Sequence, residues 1–162
     1  MSKIMGTLAL TALVLGSMTT SASGQATCYD FTARDKRVAA NINTVRQSHD
    51  LRMVNLDPEL SRVARKHTSE MIAAGQVRHT PDDVLGQRVT RWNTLGESVL
   101  RGDDVDELMH KLRNRDGHRA NLLEPSYRYI GVSVIRHDST LWATVVYEAT
   151  RDPGTTLQMP SC

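Results

Sequence analysis

The residues whose type and setting could do chemistry are His79, Glu97, His118 and Asn121. Pro81 turns the chain away from helix just after His79, which places that imidazole on a loop or at a helix mouth. Glu97 is a carboxylate inside the run Leu95-Gly96-Glu97-Ser98-Val99-Leu100, and burying it there is costly unless something pairs with it. His118 follows Gly117 in what reads as the first turn of a short helix. Unpaired N–H groups and the positive end of the helix dipole disfavour imidazolium there and leave the ring free to accept or to ligate. Asn121 comes three residues later on the same face, so both side chains can point into one cleft.

Two imidazoles and a carboxylate can hold zinc or another divalent cation with one coordination position open, as catalytic sites do. His79, Glu97 and His118 can equally form a hydrogen-bond network in which Glu97 orients the rings. Spacing does not choose between these, because the chain has no H-E-x-x-H or C-x-x-C. Ser98 invites a nucleophile reading, but no G-x-S-x-G surrounds it, and a Ser in an apolar run is usually a space-filler. Phosphate-cradling glycine loops and dinucleotide fingerprints are missing from the sequence.

The elements that must position these residues follow from apolar spacing. Val38, Ile42 and Val45 share one helix face, with Asn43, Arg46 and Gln47 beside or opposite it, and residues 27–35 read as an irregular lead-in. Asp57 can N-cap a second helix with Pro58 at its first position, and Gly75 stands where a left-handed cap belongs. His67 lies on that helix's apolar face and reads as a hydrogen-bonded core residue. A short helix is expected near residues 83–90. Asp103 or Asp104 caps another that carries Val105, Leu108, Met109 and Leu112 at core spacing. Two strands, residues 129–136 and 141–150, flank a turn at Asp138-Ser139-Thr140.

The compartment is set by the first segment. Lys3 forms a short basic region, residues 4–15 are mostly apolar and residues 16–26 small and polar, with cleavage sites after Ala22 or Ala26. Residues 1–26 therefore read as a secretory signal peptide, since the apolar run falls short of the roughly 20 residues a bilayer span needs. The remainder, residues 27–162, reads as one domain with a core over about 38–150, secreted and carrying no membrane span after cleavage. Removing Lys3 from the 20 basic residues leaves 19 against 18 acidic, which gives no argument for nucleic acid. Cys28 and Cys162 are the only cysteines, and in an oxidising compartment they are expected to pair.

In this order and spacing the motifs resemble the CAP superfamily (cysteine-rich secretory, antigen five, pathogenesis-related), and its bacterial SCP-domain members above all. The resemblance covers residues 41–150 and is carried by Asn43-Thr44-Val45-Arg46, Leu56-Asp57-Pro58-Glu59-Leu60, His67-Thr68-Ser69-Glu70-Met71 and His79-Thr80. Gly96-Glu97, Gly117-His118-Arg119-Ala120-Asn121-Leu122-Leu123 and Tyr129-Ile130-Gly131-Val132 complete it. It implies an α+β fold, a three-layer α-β-α sandwich with a small antiparallel sheet of about three strands. It also implies that His79, Glu97 and His118 match three of the family's four cleft residues, which bind a divalent metal in some members. The chain departs from the pattern in lacking a second cleft Glu and in carrying Ser98, Leu112 and Arg115 where Asn, Trp and Ser are usual.

The functional expectation is a secreted, monomeric binding module whose cleft of His79, Glu97, His118 and Asn121 takes a lipid, a small molecule or a surface protein, with zinc or another divalent metal as a candidate cofactor. The alternatives are a metal-assisted secreted hydrolase and a structural envelope domain without cleft chemistry.

Overall fold

The first helix, α1 (Ala33–Gln47), starts where a reciprocal cap closes it: Asp35 N donates to Thr32 Oγ1 at 3.1 Å, and Thr32 N donates to the Asp35 carboxylate at 2.9 Å. That start lies inside the stretch expected to be irregular, because an Asp here fills the place usually held by Glu. The computed structural model describes residues 28–89, 92–149 and 162. The expected signal peptide and the tail between Thr150 and Ser161 lie outside the described residues.

The remaining elements are β1 (Asn55–Leu56), α2 (Pro58–Ala74), α3 (Asp82–Arg88), β2 (Leu95–Gly102), α4 (Val105–Asn114), α5 (Asp116–Leu123), β3 (Tyr127–His137) and β4 (Thr140–Ala149). α2 has the ends its sequence calls for. Leu60 N donates to Asp57 Oδ1 at 2.8 Å, Pro58 opens the helix, and Gly75 closes it at φ 63°. Asp104 caps α4 by accepting from Glu107 N.

The sheet has four strands in the order β1-β3-β4-β2, and β1 pairs parallel to β3 while the other pairs are antiparallel. The expected three-stranded antiparallel sheet is thus corrected by one short parallel strand, whose two residues are too few to show an alternating pattern. On one face Ile130, Val132, Val134, Val145 and Tyr147 pack against Val38 and Ile42 of α1, Leu108 and Leu112 of α4 and Leu122 of α5. On the other, Val146 packs with Leu60, Val63 and Ala64 of α2 and Leu85 of α3. The expected α-β-α layering holds.

α2 lies directly on β3. A Cβ at Gly131 would collide with the backbone of Leu60 and Ser61, and Val132 N donates to Ser61 Oγ at 3.0 Å. Cys28 and Cys162 form a disulfide with Cα atoms 5.0 Å apart, and Cys162 N donates to Tyr29 O at 3.0 Å beside it. Among the described residues no helix is long and apolar enough to cross a membrane.

Candidate functional site

β2 is an edge strand, and its free edge lies between two layers: the loop joining α2 to α3 approaches from one side and α5 from the other. Successive side chains of a strand face opposite ways. Glu97 therefore points to the α2–α3 side while Gly96 meets α5.

The Glu97 side chain is 4% exposed and carries a full set of partners. Oε1 accepts from Thr80 N at 2.8 Å and lies 3.1 Å from His79 Nδ1; Oε2 accepts from Thr80 Oγ1 at 2.7 Å. These bonds answer the desolvation cost that made this residue stand out in the sequence. They also fix the His79 ring through Nδ1. The rest of that side chain is open, 60% exposed, so Nε2 is the nitrogen offered to a ligand.

His67 supports the same loop from below. Fully buried as expected, its Nε2 donates to Arg78 O at 2.7 Å, the carbonyl just before His79. Its Nδ1 lies 3.3 Å from Glu70, which is gripped by two bonds from Arg88 of α3, at 2.8 and 3.0 Å. Burial alone would raise the Glu70 carboxyl, but the bonds from Arg88 and His67 outweigh it and hold it below the usual range.

α5 closes the other side. Asn121 Nδ2 donates to Glu97 O at 2.8 Å, a bond to the strand edge that an amide can make and a hydrocarbon cannot. A Cβ on Gly96 would strike Asn121 Oδ1 and the Tyr127 hydroxyl, so the close docking of α5 depends on glycine at that point. His118, half-buried on the first turn of α5, is held below the ordinary histidine range mainly by burial, with the neighbouring Arg115 and His79 adding to it. The direction matches the expectation from sequence. The cause is desolvation and neighbouring charge.

α5 is itself held by a residue that reads from sequence as lying beside or opposite the apolar face of α1. Arg46 is fully buried: Nε donates to Arg52 O at 2.9 Å, and Nη1 to Leu122 O at 2.9 Å and Glu124 O at 3.0 Å. The last two carbonyls end α5 and lack helical partners. Nearby, Asn43 exchanges two 2.9 Å bonds with the backbone of Val54.

Three of the predicted residues, His79, Glu97 and Asn121, thus meet at the β2 edge with Glu97 as the hub, and His118 lies on the first turn of α5, near enough to His79 for the two to interact electrostatically. Thr80 is the contributor that sequence reasoning passed over, although its place directly after His79 and before Pro81 was a usable signal. Ser98 is fully buried on the sheet face opposite Glu97, next to Tyr147, so it does not reach the side on which Glu97 meets His79. Among the described residues no three His, Cys, Asp or Glu side chains stand together as a ready ligand set for a metal ion. Both carboxylate oxygens of Glu97 are engaged, and Glu97 stands behind His79 as the carboxylate that orients it.

A family model described as "Cysteine-rich secretory protein family", CAP, matches residues 39–147. Uncharacterized protein YkwD of Bacillus subtilis (strain 168) is 28% identical over 131 residues, 76% of this chain and 49% of the relative. The chain therefore spans about half the length of the curated relative it matches. An outer surface protein from Borrelia burgdorferi has the same fold with TM-score 0.66 and 16% identity, over 73% of this chain and 93% of that one. An extracellular protein containing an SCP domain from Bacillus anthracis str. Ames gives TM-score 0.62 and 22% identity, over 72% of this chain and 40% of that one.

Proposed function

Because the chain belongs to the cysteine-rich secretory protein (CAP) family, we propose that it is an extracellular binding protein whose ligand enters the cleft at the β2 edge. One observation carries this reading: the Glu97 carboxylate is committed to Thr80 and His79, so it orients an exposed imidazole and is not free as a base or nucleophile. The extracellular placement is supported by the signal-like first segment and by relatives described as an outer surface protein and an extracellular protein.

Zn²⁺ or another divalent cation is the first occupant to test. His79, through the Nε2 left open by the Glu97 bond, and His118, kept neutral by burial, are the residues that would hold it. When bound, such an ion supplies a positive charge for an oxygen of a further ligand. Asn121 holds α5 against the β2 edge through its bond to Glu97 O. The further ligand is a small molecule, a lipid or a surface protein that brings an oxygen donor to the cleft.

Calorimetric titration of the oxidised protein with Zn²⁺ near neutral pH, beside a His79→Ala/His118→Ala variant, tests this. Binding that the variant loses is the expected result. Absence of binding to the wild type, or binding retained by the variant, contradicts the imidazole site.

A further inference from the structure

Beside the His79–Glu97 pair in the chain lies a concavity with different contents. The segments that border Glu97 and His79 continue into it, Asp82 following Thr80-Pro81 and Leu95 preceding Gly96. It encloses about 300 Å³, at the small end for ligand pockets, which suits one ring rather than a fused set. Leu85 and Leu95 supply its apolar floor, and Trp92, 46% exposed, stands at its wall.

Trp92 is held in place. Its indole Nε1 donates to Gly86 O at 2.8 Å, and a Cβ at Gly86 would come within 3.0 Å of the ring. With the N–H spent on α3, the indole has only its face to offer, a surface suited to C–H groups. The rim is polar. Asp82 offers a carboxylate, and Thr94 Oγ1 donates to Asn93 Oδ1 at 3.3 Å, which leaves the Asn93 amide nitrogen as a donor and the Thr94 oxygen as an acceptor.

From this combination we infer a saccharide subsite beside the cleft: a neutral pyranose ring stacks on Trp92 and its hydroxyls bond to Asp82, Asn93 and Thr94. A pyranose has one C–H-rich face and a rim of hydroxyls, which matches a fixed indole face with acceptors and donors along its edge. An acyl chain would bury the same polar groups without partners, and its carboxylate would meet Asp82 as a like charge. The inference rests on the binding-protein reading and names a ligand class for it, but it uses none of the cleft imidazoles.

The test is a fluorescence and calorimetric titration of the oxidised protein with N,N′,N″-triacetylchitotriose, cellotriose and maltotriose, each to about 10 mM, with decanoate as the acyl probe. At least one trisaccharide is expected to shift the tryptophan emission and to bind. Trp92→Ala weakens that binding about tenfold or more, Trp92→Phe retains part of it, and decanoate has no effect. The His79→Ala/His118→Ala variant keeps the saccharide response, so failure of the imidazole site and failure of the saccharide subsite are read separately. No response to any of the three sugars, a response that Trp92→Ala leaves intact, or preferential binding of decanoate overturns the inference.

Discussion

His118 is a half-buried imidazole on the first turn of α5. Its imidazole is lowered mainly by burial, then by Arg115 and His79. The folded state therefore holds the ring neutral, while the unfolded chain takes up a proton near the usual value of about 6.5. A group depressed on folding contributes stability above its unfolded pKa and loses it as pH falls toward the folded value. The gap in thermal midpoint between wild type and His118→Asn is thus expected to move against the wild type as pH falls from about 7.5 to about 5. A gap that stays constant over that range contradicts the assignment. At this scale the sequence was legible where context was odd: the carboxylate in an apolar run and the His before a Thr-Pro break are the two residues that meet, at 3.1 Å. The anchoring role of Arg46 was not legible, because the carbonyls it serves lie 76 and 78 residues away in the chain.

Two close approaches decide where the elements sit. α2 rests on the backbone of β3 at Gly131, so Gly131→Ala forces backbone apart and is expected to cost about 3 kcal/mol or more in denaturant unfolding. Gly117 has open space around its missing Cβ and lies inside α5, where Gly117→Ala should gain about 0.5–1 kcal/mol. Equal effects at both positions would show that packing against α2 is not what Gly131 provides. α5 depends on Arg46 for its last carbonyls. Arg46→Met is expected to cost about 3 kcal/mol and to shift the amide resonances of residues 118–124 more than those of α2. A loss under about 1 kcal/mol, with α5 unmoved, contradicts the anchoring role. α2 was legible in full because Asp57, Pro58 and Gly75 are local signals. β1 was not, because two residues pair only through a neighbour far along the chain.

At the scale of the molecule, the disulfide joins residues 134 positions apart. Closing so long a loop restricts the unfolded chain and contributes up to about 5 kcal/mol in the chain-entropy account. Reduction, or Cys28→Ala/Cys162→Ala, should therefore lower the thermal midpoint by many degrees with the native fold retained at low temperature. No change on reduction would mean that the unfolded chain is not constrained by the link. The layering itself was expected from resemblance, and the motif order that carried it reflects contacts in the fold: Gly131 meets α2, Gly96 meets α5, and Glu97 bridges to Thr80.

The most direct test of the cleft is nitrogen NMR of the imidazoles during addition of Zn²⁺. The arrangement predicts that His79 in the free protein carries its proton on Nδ1, facing Glu97, and that Zn²⁺ shifts His79 Nε2 together with His118. Glu97→Gln is predicted to weaken the ion about tenfold or more by loosening the His79 ring. A His79 proton on Nε2, or Zn²⁺ binding that ignores both rings and Glu97→Gln, would contradict a cleft built on two imidazoles and an orienting carboxylate.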